Sequence, residues 1–303
     1  MLFRMICLLA AAESAVACDL CNCYFTVSPD EMRHSIGLRY RYSVYHHNAS
    51  VGGSLSKAFH STGGRESYHT IELWGRWHVN SSWYIEGSLP YRSIHIAETG
   101  SKGAGDVTLL AFHEIWRVTP KGSQSWGGRW LIGTGMRAPT GRSIDRAGDP
   151  HAFPGSGTWN GILSEQATFR RGAFGFSHSV VANVTLVPVH HYRPAHSISF
   201  SGNAFLQKSV SSSLLIVPSA GFRFETAGRD RLDDVPLSGT GGRLLSGQLG
   251  LDTYIGHLQF HSAFYTPIHQ KWNDDAAPNE YRVSIGLSWM FDRSSPIQPL
   301  FNM

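Results

Sequence analysis

The chain has 303 residues, of which 16% are charged and 12% aromatic, with 32 glycines and 9 tryptophans. Its formal net charge of +4 comes without a clustered basic run, which excludes a typical nucleic-acid binder. No segment after the N-terminal leader approaches the about 18 consecutive apolar residues of a transmembrane helix, but β-barrels cross bilayers with strands of only about 9–11 residues.

The first element is a leader, residues 1–17. Arg4 gives a short positive start, Met5 to Ala12 is a brief apolar stretch, and Ala15-Val16-Ala17 matches a signal-peptidase site. Cleavage after Ala17 would leave Cys18 first and export the chain into an oxidising compartment. Residues 18–33 form a Cys-rich segment on the periplasmic side. It holds Cys18, Cys21 and Cys23, and the only other cysteine is Cys7 in the leader. Three readings stay open. Three thiolates suit a soft transition metal such as copper, and zinc less completely. A disulfide such as Cys18–Cys21 would leave an odd thiol. Lipidation at Cys18 would need a better lipobox than Ala15 provides. The segment would enter the barrel mouth or meet a periplasmic partner.

Period-2 alternation then recurs from 34 to 291. Twelve strands are predicted: 34–47, 67–79, 82–93, 105–118, 126–138, 158–170, 172–187, 197–208, 212–225, 242–255, 257–266 and 280–291. The connections sort by parity. Long ones follow the odd strands, short ones the even strands. That pattern predicts an all-β fold, a transmembrane antiparallel up-and-down β-barrel in a bacterial outer membrane, with short periplasmic turns and long outside loops. The last strand carries "SIGLSWMF" (Ser284–Phe291), which resembles the closing-strand signal that such barrels present to their assembly machinery. A tail, 292–303, follows it.

Other stretches carry a wider resemblance. "SIGLRYRY" (Ser35–Tyr42) opens the barrel. "ELWGRWHVNSSWYIEGSLPYR" (Glu72–Arg92) makes a hairpin, and "GDVTLLAFHEIW" (Gly105–Trp116), "GTGMRAPTGR" (Gly133–Arg142) and "PGSGTWN" (Pro154–Asn160) follow in order. Together these resemble the outer-membrane transporter family related to the meta-pathway-of-phenol-degradation (MetA-like) barrels, in its branch with Cys-x-x-Cys-x-Cys after the signal peptide. The resemblance implies an outer-membrane barrel and a transport role, and it defines no substrate.

A charge on the lipid face costs about 2–4 kcal/mol at the midplane, so the polar face must point inward. Arg39, Arg41, Glu72, Arg76, Glu86, Glu114 and Asp252 are therefore candidate lumen residues, with Arg92 and Gln259 beside them. They would line a polar substrate path or brace a packed interior. Of 16 histidines, many fall in long connections or at their strand ends, including His46, His47, His190, His191 and His196. Imidazoles at one rim would capture a transition metal. The expected function is a channel or transporter for a small solute, with a metal ion such as copper as one candidate, embedded in outer-membrane lipid. The alternatives are a barrel lipase, for which His178 on a lipid-facing position is the oddest residue, or a non-conducting structural barrel. There is no Gly-x-Ser-x-Gly elbow and no His-Glu-x-x-His, and no enzyme activity or further cofactor is expected.

Overall fold

Along almost every long strand the apolar side chains are the exposed ones and the polar ones are buried, the inverse of a soluble protein. On the first strand Ile36, Leu38 and Tyr40 are exposed while Ser35, Arg39 and Arg41 are buried. The second repeats this, with Ile71, Leu73 and Trp77 outside and Thr70 and Glu72 inside. Such a sheet is stable only where its outer face meets lipid and its inner face closes on itself.

The structure is a computed structural model that describes residues 33–46, 65–96, 99–121, 125–143, 153–187, 192–237, 240–273 and 278–291. Its strands are β1 (His34–His46), β2 (Arg65–His78), β3 (Trp83–Ile96), β4 (Thr99–Ala104), β5 (Thr108–Val118), β6 (Trp126–Arg137), β7 (Trp159–Arg171), β8 (Phe174–Val187) and β9 (Tyr192–Arg193). They continue as β10 (Ser197–Leu206), β11 (Lys208–Ser211), β12 (Leu214–Ala227), β13 (Arg231–Leu232), β14 (Val235–Pro236), β15 (Gly242–Ile255), β16 (Leu258–Trp272) and β17 (Asn279–Phe291). Each long strand pairs antiparallel with its neighbours in sequence order, and β1 pairs with β17 from His34↔Phe291 upward. The β10–β12 pairing completes the ring. The result is a closed barrel of twelve long strands, with no helix among the described residues. The expected leader 1–17, all of segment 18–33 except Arg33, and the tail 292–303 lie outside them.

Short turns join strands at the end where β1 starts and β17 finishes. Gly172 and Gly256 each open a two-residue turn at φ 58°, a conformation that a type II′ hairpin asks of glycine. Three details depart from the predicted elements. Strand β16 runs past Pro267 to Trp272 instead of ending at 266, because the ladder slips at Leu245/Ser246 and takes the proline into that irregularity. The connection after β3 folds back as β4, pairing Tyr91↔Ala104 through Ile96↔Thr99. The connection after β12 carries a β13–β14 hairpin turning on Asp233 and Asp234, both at positive φ, and β13 also pairs with β9.

The interior is filled rather than open at mid-height. Arg41, Glu72, Ser246 and Ser284 are each no more than 2% exposed. Within the wall from β3 to β8, six inward residues, Tyr84, Leu110, Phe112, Leu131, Ile162 and Val181, form one apolar cluster. Phe112 lies where a side chain on Gly133 would collide with its ring, so glycine there makes room for the aromatic.

Candidate functional site: the barrel interior

Charged groups surround the apolar cluster and continue onto β1, β2, β12, β15 and β17. They are placed by parity. On β1 the inward residues are Ser35, Arg39, Arg41 and Ser43; on β17 they are Arg282, Ser284, Gly286 and Ser288. Register then sets which side chains meet. Arg39 stands opposite Glu72 on β2 and opposite Gly286 on β17, and that row continues through His261 to Asp252.

Glu72 is the centre of this wall. Arg39 Nε lies 3.1 Å from one of its oxygens and Arg41 Nη2 lies 3.7 Å from the other, all three nearly fully buried. Arg39 also covers the Trp74 ring at 5.5 Å. Nearer the chain termini Arg76 donates from Nη2 to Glu86 at 3.0 Å and lies over the Tyr84 ring at 4.9 Å. Glu114 accepts from both Arg117 and Arg129. Asp252 lies within hydrogen-bond distance of His261 Nδ1 at 3.0 Å and accepts from Gln259 Nε2 at 3.1 Å. All seven candidate lumen residues, Arg39, Arg41, Glu72, Arg76, Glu86, Glu114 and Asp252, thus stand on inward positions of the ring. Between several of them opens a small cleft of about 20 Å³, lined by Arg39, Trp74, Arg76, Glu86, Gln259 and His261 among others.

Several partners went unassigned in the sequence. Arg282 Nη1 donates to Glu225 at 2.7 Å and Nη2 to the Tyr45 hydroxyl at 3.2 Å. Arg223 lies over the Tyr265 ring at 5.5 Å. The signal that could have found them was the parity that marked Arg39 and Arg41. Counted by that parity among the described strand residues, the inward guanidinium groups Arg39, Arg41, Arg76, Arg92, Arg117, Arg129, Arg137, Arg170, Arg223 and Arg282 outnumber the carboxylates Glu66, Glu72, Glu86, Glu114, Glu225 and Asp252.

At the long-connection end, Asp106 draws three Gly-rich stretches together. It accepts from Gly141 N–H at 3.0 Å, Ser156 N–H at 2.7 Å and the Ser156 hydroxyl at 2.6 Å. A side chain at Gly141 would run into the backbone of Ala104 and Gly105, and one at Gly155 into Gly141. Glycine is needed because three backbones pass at contact distance. Asp230 makes a similar clasp, accepting from the Tyr192 hydroxyl at 2.6 Å and Ala195 N–H at 2.8 Å.

Of the predicted rim histidines His46, His47, His190, His191 and His196, the described residues include His46 and His196. His46 Nδ1 lies 3.6 Å from Glu280, and His196 Nδ1 accepts from Thr185 N–H at 3.1 Å on a different strand pair. Among the described residues no three His, Cys, Asp or Glu side chains are grouped to hold a metal ion. Cys18, Cys21, Cys23, His47, His190 and His191 lie outside them. On the outer face His178 Nε2 is 3.1 Å from Glu165 Oε1. The outward positions around the pair are Trp130, Ile132 and Thr134 on β6 with Leu163, Ala167, Phe169, Phe176, Val180, Phe200, Gly202 and Ala204. Thr134 is the one hydroxyl among them, and it stands opposite Leu163, two strands from His178 and four residues along from Trp130 in the His178 row, so no hydroxyl nucleophile stands beside the imidazole; Ser177 and Ser179 point inward, and Ser179 bonds Ser201 at 2.8 Å.

No family model and no curated protein matches the chain. Solved structures do. The chain is similar to the COG4313 outer membrane channel from Pseudomonas putida F1, at 13% identity and a TM-score of 0.63, over 88% of this chain and 100% of that one. It is less similar to the beta domain of the Bordetella autotransporter BrkA, at 9% identity and 0.49 over 86% and 100%. For LpxR from Salmonella typhimurium the figures are 9% and 0.46 over 85% and 100%. What these identities establish is a shared fold, the outer-membrane β-barrel.

Proposed function

We propose that this chain is an outer-membrane channel for a small anionic solute, related to the MetA-like barrels that its motifs resemble. The observation that carries the reading is the excess of inward arginine over inward carboxylate among the described strand residues, in an interior whose side chains are largely buried. Guanidinium groups are charged at any working pH and match carboxylate and phosphate oxygens with paired donors. In a confined lumen such a field draws anions in and repels cations. The printed name of the Pseudomonas putida neighbour, an outer membrane channel, supports a conducting role. A bare copper ion would meet the wrong sign of charge along this path, so the route favours an anion over the metal ion.

The test is the reversal potential of purified protein in a planar bilayer under a salt gradient. An anion-selective current supports the proposal. A cation-selective current, or no current from wild type and from a variant with the Arg282–Glu225 pair removed, overturns it.

Metal handling is a second, separate proposal, supported by the spacing of Cys18, Cys21 and Cys23. Three thiolates within six positions suit copper(I). On this reading the N-terminal segment would hold the ion at the periplasmic mouth, and the barrel would not be its path.

A further inference from the structure

We infer that the face formed by β7, β8 and β10 is a self-association surface, on which Glu165 and His178 of one copy meet His178 and Glu165 of a second copy across a two-fold axis. The starting point is a pair that lies on the wrong side of the wall. By strand parity both residues point outward, and their side chains are 26% and 28% exposed. Their outward neighbours Ile132, Leu163, Ala167, Phe176, Val180 and Phe200 are apolar, and the nearest hydroxyl on this face is Thr134, opposite Leu163. Along β7, Glu165 is about 13 Å from Phe169 on one side and about 20 Å from Trp159 on the other, so it sits deep in the apolar band.

The intramolecular bond joins Glu165 Oε1 to His178 Nε2. With a hydrogen on Nδ1, the pair keeps a second acceptor, Glu165 Oε2, and a second donor, His178 Nδ1–H, facing a medium that satisfies neither. Ionisable groups inside a membrane turn toward a partner or a water-filled cavity, and this pair faces away from the lumen. A two-fold interface is isologous, so what one copy lacks the other must supply. Rotating the pair by half a turn puts a donor opposite each acceptor. A second copy is therefore the occupant whose charge pattern fits by construction.

His178 is flanked in register by Ala167 on β7 and Gly202 on β10, and the Phe176 and Phe200 rings stand about it, each 6.3 Å from the imidazole. The Phe200 and Phe222 rings, 5.6 Å apart, give the same face a broad apolar flank.

The experiment is sedimentation of the full chain over a concentration series, in mild detergent and in lipid nanodiscs. Wild type is compared with Glu165→Leu/His178→Leu and with the exchange Glu165→His/His178→Glu. Each variant is first checked for the heat-shifted gel mobility of a folded barrel and for wild-type conductance per barrel. That conductance keeps this test separate from the channel proposal. The leucine pair removes polar groups from the lipid face, so its barrel folds. The expected result is a wild-type dimer, weakened about tenfold or more in the leucine pair and restored in the exchange. A monomeric wild type, equal affinity in the leucine pair, or an exchange that stays monomeric overturns the inference.

Discussion

Arg282 on β17 reaches Glu225 on β12 at 2.7 Å, across the two intervening strands β15 and β16. A side chain that spans its own wall in this way shows how little free cross-section the interior has. Both groups are nearly fully buried, at 3% and 6% side-chain exposure. Removing one partner leaves an uncompensated buried charge, at a cost of about 3–5 kcal/mol. Arg282→Ala alone is expected to lower the denaturation midpoint. Arg282→Ala with Glu225→Ala removes both charges and is expected to be nearer wild type in stability, with a larger conductance. Denaturant melts and single-channel recordings of the three proteins check this; an unchanged conductance in the double variant would place the constriction elsewhere.

The Asp106 clasp gives a second expectation. Its carboxylate takes three hydrogen bonds from Gly141 and Ser156, holding residues 138–143 and 153–158 against Gly105. In Asp106→Ala those donors lose their acceptor, and each one left buried and unsatisfied costs about 1–3 kcal/mol. The variant is expected to be cut by protease within 138–158 faster than wild type, with the barrel strands intact. Asp106→Asn keeps one carbonyl oxygen and is expected to lie between. Timed proteolysis of intact outer membranes, read by mass, separates the three.

Much of this fold could be read from the sequence because a barrel wall writes its two faces in alternate residues. Ile36, Leu38 and Tyr40 against Arg39 and Arg41 needed no more than a period of two. The reading failed where side chains carry no such contrast. Strand β4 reads "TGSKGA", too rich in glycine to alternate, and Pro267 looked like an end because proline usually stops a strand. Partners were harder than faces. Glu72 with Arg39 follows from adjacent strands, but Arg282 with Glu225 depends on strand tilt and on which long side chain bends which way. Glu165 went unassigned because the rule that sends charge inward held for Arg39 and Glu72 and breaks here, in mid-strand, whereas other outward charges such as Arg171 and Arg243 stand at strand ends.

Phe112 tests the apolar wall. It is 0% exposed and stacks on Tyr84 with ring centres 4.7 Å apart. Truncating a buried aromatic costs about 3–5 kcal/mol where the site cannot collapse, and the Gly133 backbone across from it supplies no side chain to fill the gap. Phe112→Ala is expected to lower the unfolding temperature and to raise conductance without changing ion selectivity, since no charge is altered. Selectivity that moved toward cations would mean that the arginine wall had rearranged as well.

The N-terminal thiols give the sharpest remaining division. If Cys18, Cys21 and Cys23 hold a soft metal, protein purified from outer membranes in mild detergent without chelator retains stoichiometric copper. Changing Cys21 and Cys23 to Ser is then expected to release it, while His190→Ala with His191→Ala leaves it in place, because thiolates outcompete imidazoles for copper(I). Intact mass and elemental analysis on one sample check both. A metal-free chain lighter by two hydrogens would mean a disulfide, and a chain heavier by acyl groups at Cys18 would mean a lipid anchor. In either case the anion path would stand on the arginine wall alone, since Arg39, Arg41 and Arg282 sit in the barrel and owe nothing to the cysteines. Loss of copper in the histidine variant instead would move the metal site to the connection that holds His190 and His191.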